Sequence, residues 1–203
     1  MSVENISYYE DFNEIEKKLW SLLVRAVNDR SSEFRTPVII CGDKNNLDGR
    51  IVVLRKADEK NISLQFHSDI RSTKIDTIKK NPNSSLLFYG KKEKIQLRMK
   101  VESKLHYNDE ITKESWNKTG HISRKCYLVT NGPGTKSEKP TSGLDNKFDN
   151  FDFTKEESEA GYKNFCVIKC KIKSIEWLYL AAKGHRRALI EFQGSKKFSW
   201  LIP

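Results

Sequence analysis

The sequence lacks the features that mark several large classes of protein. No unbroken apolar run approaches the roughly 20 residues that cross a membrane, and the N-terminal segment lacks the basic-then-apolar order of a signal peptide. Neither a G-x-G-x-x-G motif nor a P-loop occurs, so the glycine loops of common dinucleotide and nucleoside triphosphate sites are excluded. With an aromatic content of 10%, the chain is too rich in core-forming residues for a disordered protein. We therefore expect a globular protein of the cytoplasm that does not insert into a membrane.

Cysteine is scarce, and the four cysteines form neither a metal-binding nor a disulfide pattern. A zinc site would need closely paired ligands with histidines nearby, and this chain does not have that spacing. Cys166 and Cys170 would share one face of a strand with Ile168 and Ile172. We therefore predict that these two cysteines are small core residues, that the compartment is reducing and that no metal is bound.

Acidic residues are in the minority: 27 Asp and Glu stand against 37 Lys and Arg, which gives a net charge of +10. The excess is confined to two blocks, residues 50–104 with a net charge of +8 and residues 163–203 with a net charge of +7. Such an excess indicates an anionic partner, which is a nucleic acid, a membrane surface or a phosphorylated ligand. Because aromatic residues do not interleave with the basic blocks, the pattern disfavours a nucleic-acid surface.

Short strands separated by turn residues dominate the predicted structure. A helical stripe of apolar residues covers 9–28, and short helices are predicted to begin after Ser72, Asn108 and Thr154. The predicted strands lie at residues 37–41, 50–55, 62–67, 86–89, 95–106, 164–180, 186–193 and 197–202. The composition of residues 130–150 predicts a flexible loop or lid. This order favours one mainly β domain over residues 1–203, a barrel with peripheral helices (α+β).

Two segments in the first basic block have residue types that suit an anion. Residues 50–55 form a predicted strand with arginine at both ends, and the arginine fork fits a phosphate or a carboxylate. Residues 66–74 run from a strand through a polar turn into a helix start, which offers hydroxyls, two cations and free backbone amides. The alternatives are solvated strand ends and an ordinary capped turn, and the pattern alone leaves both interpretations open.

Two later segments also offer polar groups. Gln96 lies on a predicted strand, where its amide would either pair with an amide edge of a ligand or face solvent. Trp177 is followed by Lys183, His185 and Arg187, which suit an anionic ligand or form a solvated hairpin end. No acid–base pair stands out in the sequence, so no catalytic residue is predicted.

Taken in order, these segments resemble the pyridoxamine 5′-phosphate oxidase-like FMN-binding family. The first basic block contributes Arg-Ile-Val-Val-Leu-Arg at 50–55, Asp-Ile-Arg-Ser-Thr-Lys at 69–74, Asn-Pro at 81–82 and Gln96. The C-terminal segment contributes Ile-Glu-Trp at 175–177, Gly-His-Arg-Arg at 184–187 and Trp-Leu-Ile-Pro at 200–203. A further similarity to the oxidase-like branch lies in Trp116, Ser123, Arg124, Tyr127 and the run Gly132-Pro133-Gly134.

The resemblance implies a split β-barrel that forms a homodimer with FMN at the subunit interface. By matching position, it implies cofactor contacts for Arg50, Val52, Val53, Leu54, Arg55, His67, Ser68, Arg71, Ser72, Thr73, Lys74, Gln96, Trp177 and Arg187. It implies substrate contacts for Arg55, Lys183 and His185. Thr73 departs from the family because the oxidases usually have arginine there, and Arg71 is the candidate replacement. Lys183 likewise stands where an arginine would help to hold the substrate.

The function implied by this resemblance is that of an FMN-dependent oxidoreductase. Its substrate would be a small molecule, with or without a phosphate group. Two alternatives stay open at the level of the sequence: a flavin carrier or sensor without efficient turnover and, with less support, a basic nucleic-acid binder.

Overall fold

The computed structural model describes residues 7–43, 45–148 and 153–203, and an antiparallel sheet of nine strands forms most of it. The strands are β1 (Val38–Gly42), β2 (Leu47–Ile51), β3 (Leu54–Asp58), β4 (Ser63–Asp69), β5 (Asn83–Gly90), β6 (Ile95–His106), β7 (Phe165–Tyr179), β8 (Arg186–Glu191) and β9 (Lys197–Leu201). The helices are α1 (Phe12–Asn28), α2 (Thr73–Lys80), α3 (Glu110–Lys118), α4 (His121–Arg124) and α5 (Lys155–Ser158). The predicted fold class, mainly β with peripheral helices, is confirmed.

The long strand β7 organises the sheet because it pairs with three other strands. The hydrogen-bonded order is β2-β1-β5-β6-β7-β4-β3, while β8 also pairs with β7 and β9 pairs with β8. Along one edge, β7 pairs with β6 over most of its length. Along the other edge it pairs with β4 over Phe165–Lys171 and with β8 over Ser174–Tyr179. The sheet therefore divides into two branches near residues 172–173.

The main hydrophobic core lies between α1 and the inner face of the sheet. Alternate residues of the central strands enter this core, and Phe88 and Leu97 are each 1% exposed or less. The apolar stripe of α1, including Leu19, packs against them. Cys166 and Cys170 are fully buried in the same core, which confirms that they are small core residues.

A second, smaller cluster lies on the other side of β7, next to α3. Phe165 and Val167 alternate with the core residues of β7, and they pack against Trp116 and Tyr127. The Arg124 guanidinium is buried and lies 4.4 Å from the centre of the Trp116 ring. This cluster holds α3 and α4 in place against the sheet.

Several element boundaries differ from the predicted ones. The segment predicted as one strand over 50–55 divides, because β2 ends at Ile51 and β3 begins at Leu54. Asp109, and not Asn108, caps α3, since its carboxylate accepts a hydrogen bond from the backbone amide of Thr112 at 2.9 Å. The N-terminal helix begins as a 3-10 turn over Ser7–Glu10, and regular α-helix starts only at Phe12.

The capping box predicted for the last helix is confirmed, as the Thr154 and Glu157 side chains accept from each other's backbone amides. Most of the loop predicted over 130–150 is irregular, apart from a 3-10 turn at Asn146–Phe148, and residues 149–150 lie outside the described residues. Among the described helices, none has the length and apolar character that a membrane crossing requires.

Candidate functional site

The end of β2 and the start of α2 form a small group of cations and hydroxyls, which we call the α2 cradle (Arg50, Ser72, Thr73 and Lys74). The Arg50 Nη1 lies 3.5 Å from the Thr73 hydroxyl, and the Lys74 ammonium donates to the Ser72 hydroxyl at 3.0 Å. Ser72 occupies the N-cap position of α2, but its side chain does not cap the helix. First-turn amides, two hydroxyls and two cations together form a donor set that suits a phosphate group.

The α2 cradle has a cationic electrostatic environment. Burial lowers the pKa of Lys74, and the positive charge of Arg50 lowers it further because the two cations repel each other. Asp48 forms an ion pair with Arg50 and balances part of this charge. An anion bound between Arg50 and Lys74 would relieve the remaining repulsion.

Arg71 is not part of the α2 cradle, because its guanidinium is committed to other groups. Its Nε and Nη2 donate to the two carboxylate oxygens of Asp69 at 3.0 and 2.7 Å. Its Nη1 and Nη2 also donate to the carbonyls of Thr130 and Val129 at 3.0 and 3.1 Å. Glycine is needed at position 132, since a Cβ there would lie 2.9 Å from the Cβ of Arg71. Arg71 therefore links the turn before α2 to the loop at residues 129–130.

The residues between the two predicted arginines are mostly inaccessible. Val52 and Leu54 are buried, at 7% and 0% exposure, and the Val52 amide donates to the carbonyl of Pro37 at 2.9 Å. Ser68 is also buried, and its hydroxyl donates to the Asp69 carbonyl at 3.3 Å. Of the predicted apolar contacts, Val53 alone is partly exposed and offers side-chain surface to a ligand.

Gln96 belongs to a row of directly opposed residues on the outer face of the sheet. The row crosses β5, β6, β7 and β8 in register through Tyr89, Gln96, Leu178 and Arg187. Trp177 faces the other way because side chains alternate along a strand, and it is 1% exposed in the core beside Tyr179. Leu178, and not Trp177, therefore shares a face with Gln96 and Arg187, and the cofactor contact expected of Trp177 stays a prediction.

A carboxylate holds Arg187 in this row. Glu176 accepts from Arg187 Nε at 2.9 Å and from Arg98 Nη2 at 2.5 and 2.6 Å. Burial acts to raise the pKa of Glu176, but the hydrogen bonds from Arg98 and Arg187 outweigh it and lower the pKa overall. Glu176 is therefore ionised at neutral pH and neutralises part of the charge of both arginines.

Arg55 and His67 lie apart from the α2 cradle, in a cavity of 480 Å³ bounded by β3, β4, α3 and the end of α1. Arg55 is the extra residue of a β-bulge, because Leu54 opposes Phe66 while Lys56 opposes Gln65. The cavity wall includes four cations, Arg55, Lys56, Lys118 and Lys169. The one carboxylate in the wall, Glu114, pairs with Lys118 at 2.5 Å. The cavity is therefore suited to an anionic or strongly polar molecule.

Two buried nitrogen atoms of residues that line this cavity, Arg55 Nε and His67 Nδ1, have no hydrogen-bond partner within the described part of the chain. Burial lowers the pKa of His67 to about 3, with a further contribution from the charge of Arg55, so the imidazole is neutral at neutral pH. A neutral imidazole has one donor and one acceptor nitrogen, while the guanidinium only donates. A polar ligand that carries both kinds of group would satisfy these atoms.

Helix α3 forms one wall of the cavity and is fixed by polar contacts. Gln65 Nε2 donates to the Ser115 hydroxyl at 2.8 Å, which links β4 to α3. Arg124 donates to the carbonyls of Trp116 and Thr119 at 2.8 and 3.0 Å, and it forms an ion pair with Glu159. The segment around Trp116 and Arg124, which carried part of the family resemblance, therefore supports this wall.

Lys183 and His185 lie in the exposed turn between β7 and β8. His185 Nδ1 accepts a hydrogen bond from the backbone amide of Ala181 at 3.1 Å, which shapes the turn. Neither residue lines the cavity that contains Arg55, so a single chain does not bring the three predicted substrate contacts together.

Sequence reasoning missed the cavity residues on α3 and β7, such as Ser115 and Lys169. Each of them looks like an ordinary exposed polar residue in the sequence, and only the packing of α3 beside β4 gives them a common surface. For Leu178 a signal was available, since period-two alternation along β7 separates it from Trp177.

A family model matches part of the chain that contains most of these residues. Residues 20–106 match the model described as the FMN-binding domain of pyridoxamine 5′-phosphate oxidase. This range includes the α2 cradle, Arg55, His67 and Gln96. The predicted resemblance to this family is therefore confirmed, and FMN is the cofactor of the matched domain. A comparison with curated proteins found no match.

Solved structures share the fold over most of the chain. A pyridoxamine 5′-phosphate oxidase-related, FMN-binding protein from Nostoc punctiforme has a TM-score of 0.70 at 17% identity, covering 92% of this chain and 96% of its own. PhzG from Burkholderia lata, in complex with tetrahydrophenazine-1-carboxylic acid, has a TM-score of 0.72 at 14% identity, covering 100% and 99%. ChuZ from Campylobacter jejuni has a TM-score of 0.53 at 12% identity, covering 93% and 63%. The fold is thus the split β-barrel of pyridoxamine 5′-phosphate oxidase-like FMN-binding proteins.

Proposed function

We propose that this protein is an FMN-dependent oxidoreductase that binds its flavin phosphate in the α2 cradle and its substrate in the cavity beside Arg55. The observation that carries the proposal is the donor set of the cradle. Two cations, two hydroxyls and the uncapped start of α2 converge there, within the range that matches an FMN-binding domain. A phosphate monoester is the chemical group that this set fits best.

The proposal gives each group of residues a distinct role. Arg50, Thr73 and Lys74 bind the phosphate, and the row containing Gln96 and Leu178 meets the flavin ring with one amide and one apolar side chain. FMN supplies the two-electron redox chemistry when it is bound, and the protein supplies binding and orientation. Arg187 stabilises the row through Glu176 and needs no direct contact with the cofactor.

The cavity offers the substrate a charged anchor and a neutral hydrogen-bonding group. Arg55 would donate to an anionic oxygen, and its unpartnered Nε would gain an acceptor. Because the pKa of His67 is lowered to about 3, the imidazole exchanges donor and acceptor roles by tautomer without gaining a charge. We infer that His67 orients the substrate and does not serve as a proton store.

The homodimer that the resemblance implies finds support in an exposed apolar area on the outer face of the sheet. Leu47 and Ile51 are 71% and 69% exposed, and Tyr89 is 50% exposed. In register, Ile51 lies opposite Val38, which lies opposite Leu87, so the apolar area continues across three strands. Such a continuous apolar surface is typical of a protein–protein interface. It adjoins the Gln96 row, so a second copy seated there would help to enclose the flavin.

A flavin titration followed by anaerobic reduction tests this function. We expect the apoprotein to bind FMN with one site per chain and the bound flavin to bleach when a reductant is added. Reduced nicotinamide and pyridoxamine 5′-phosphate are the first reductants to use. Tight binding without bleaching under any of a broad panel of amines, alcohols and reduced nicotinamides would instead favour a carrier or sensor. Failure to bind FMN would reject both functions.

A further inference from the structure

We propose that the outer face of β3, β4, β7 and β6 holds a second anion site, formed by Lys56, Lys169 and Lys104, that takes a phosphate or diphosphate group of a small molecule. This site is separate from the α2 cradle, and its existence does not depend on flavin. Its use as the anchor for the substrate of the flavin site rests on the function proposed above.

The register of the sheet brings these lysines together. Lys56 lies opposite Gln65, Gln65 lies opposite Lys169, and Lys169 lies opposite Lys104, so the four residues form one row across four strands. We call these four residues the lysine row. Directly opposed residues in antiparallel strands have Cβ atoms about 5 Å apart, so Lys169 and Lys104 are close neighbours.

Like charges at directly opposed positions destabilise a sheet. Within the described ranges neither Lys104 nor Lys169 forms an ion pair, although the charge of Lys169 helps to lower the pKa of Asp58 and Glu102 lines the same groove. The nearest acidic residues are engaged with other groups: Asp58 lies 3.7 Å from Lys56 and accepts from Asn61, and Glu102 pairs with Lys173. Asp58 therefore balances only part of the charge of the row, and an anionic ligand would balance the rest.

The lysine row connects two depressions on the surface. Lys56, Gln65 and Lys169 line the 480 Å³ cavity that contains Arg55. Lys169 and Lys104 also line a neighbouring open groove of 400 Å³, and Ile111 of α3 borders both spaces. A molecule bound beside Arg55 thus has a direct path along the row to the groove.

The chemistry of the row selects a phosphate rather than a single carboxylate. Lysine ammonium groups act as mobile point charges, and two or three of them suit an ion that spreads two or more negative charges over several oxygens. The Gln65 amide is held by Ser115 at 2.8 Å and adds a fixed polar group between Lys56 and Lys169. Arg55, in contrast, offers a fork that suits a carboxylate within the cavity.

A titration with inorganic pyrophosphate tests the site. The measurement is a nitrogen-15 NMR titration of the full chain saturated with FMN, so that the α2 cradle is occupied. We expect the largest shift changes at the amides of Lys56, Lys104 and Lys169. The double variant Lys104→Gln/Lys169→Gln should bind pyrophosphate at least tenfold more weakly. The matched control Lys91→Gln/Lys197→Gln removes two exposed lysines from other loops and strands and should bind within twofold of the wild type.

The FMN affinity of both variants serves as the folding control and should equal that of the wild type. Equal weakening of pyrophosphate binding in the two variants would show a diffuse charge effect and overturn the site. Shift changes confined to Arg50 and residues 72–74 would overturn it as well. If the chain fails to bind FMN, the proposed function is rejected. The same pyrophosphate titration on the apoprotein then still tests whether the lysine row binds an anion.

Discussion

Arg71 binds Asp69 through two parallel hydrogen bonds, with Nε and Nη2 each donating to a different carboxylate oxygen. The Asp69 side chain is 6% exposed, and the hydrogen bonds that Arg71 donates to it raise the pKa of Arg71, so the guanidinium stays charged. The same guanidinium binds two carbonyls of the following loop. This one side chain therefore links the turn before α2, and with it the α2 cradle, to residues 129–130.

Removing Arg71 should destabilise the protein more than it weakens FMN binding. Arg71→Ala leaves a buried carboxylate without its partner, which costs about 3 kcal/mol of unfolding free energy. Arg30→Ala, which removes an exposed arginine, should cost less than about 0.5 kcal/mol. Urea denaturation of both variants measures the difference. A loss of flavin affinity in Arg71→Ala without a loss of stability would instead place Arg71 in the cofactor site.

Arg50 should contribute directly to flavin affinity. Arg50→Ala removes a cation of the α2 cradle, and a charged hydrogen bond to phosphate is worth about 1.5–3 kcal/mol, so the dissociation constant should rise about 10- to 100-fold. Lys91→Ala removes an exposed loop charge and should change it less than about twofold. Quenching of flavin fluorescence gives both constants, and equal values would contradict the cradle.

Substitutions of the neighbouring residues Trp177 and Leu178 should have different effects, one on the stability of the fold and the other on FMN affinity. Trp177→Phe alters a buried core residue and should lower the unfolding free energy by about 1–2 kcal/mol while leaving FMN affinity unchanged. Leu178→Ser alters the outer row and should weaken FMN binding severalfold, with a change in stability below about 1 kcal/mol. Thermal unfolding and flavin titration of each variant provide the test. The reverse pattern would restore Trp177 as the cofactor contact.

His67 should make the protein less stable in mild acid. Its folded pKa of about 3 lies below its ordinary value of 6.5, so between these limits the unfolded chain binds one more proton than the folded chain. This contribution is fully present above pH 6.5 and is lost as the pH falls toward 3. Wild-type stability should therefore decline about 1.4 kcal/mol per pH unit more steeply than that of His67→Gln in this window.

Urea denaturation at pH 4.5, 5.5 and 7.0 measures these slopes. His185→Gln, which removes an exposed histidine, is the matched control for the loss of a histidine side chain. Parallel curves for the wild type and His67→Gln would show that His67 carries no proton-linked stability.

Charge on the exposed apolar area should disrupt the proposed dimer. Ile51→Lys places a cation where the side chain is 69% exposed, and burying that charge against a second copy would be unfavourable. We expect a shift to monomer and weaker FMN binding. The control Ile122→Lys alters an exposed apolar residue on α4 and should leave the assembly unchanged. Sedimentation velocity measures the oligomeric state of each variant, and a monomeric wild type would contradict the proposed dimer directly.

Local patterns in the sequence were enough to predict much of the fold. Alternation identified the core face of β7, and the Thr154 capping box appears as expected. The break between β2 and β3 was not predicted, because residues 51–53 form a β-branched run and the break depends on tertiary pairing. The cap of α3 moved by one residue because Asn108 adopts a positive φ of 53° and leaves the cap position to Asp109.

The candidate site was predictable only where it is local in sequence. The α2 cradle combines a turn and a helix start, both visible as a pattern, with a single long-range contact from Arg50. In the sequence, Arg71 appeared as suitable as Arg50 for binding a phosphate. Only the three-dimensional position of the loop carbonyls shows that Arg71 is engaged elsewhere. The lysine row could not be predicted, since it depends on the register of four strands whose order does not follow the chain.

In a regular strand, residue 55 would have to satisfy both the core packing and the strand pairing of β3, and the bulge frees it from both. Leu54 keeps its core position opposite Phe66, and Lys56 keeps its place opposite Gln65, while Arg55 occupies neither register position. A change at residue 55 therefore alters the charge of the cavity with little effect on the core packing or on the pairing of β3 with β4. Substitution of this one residue can therefore change the ligand preference of the cavity while the barrel is retained.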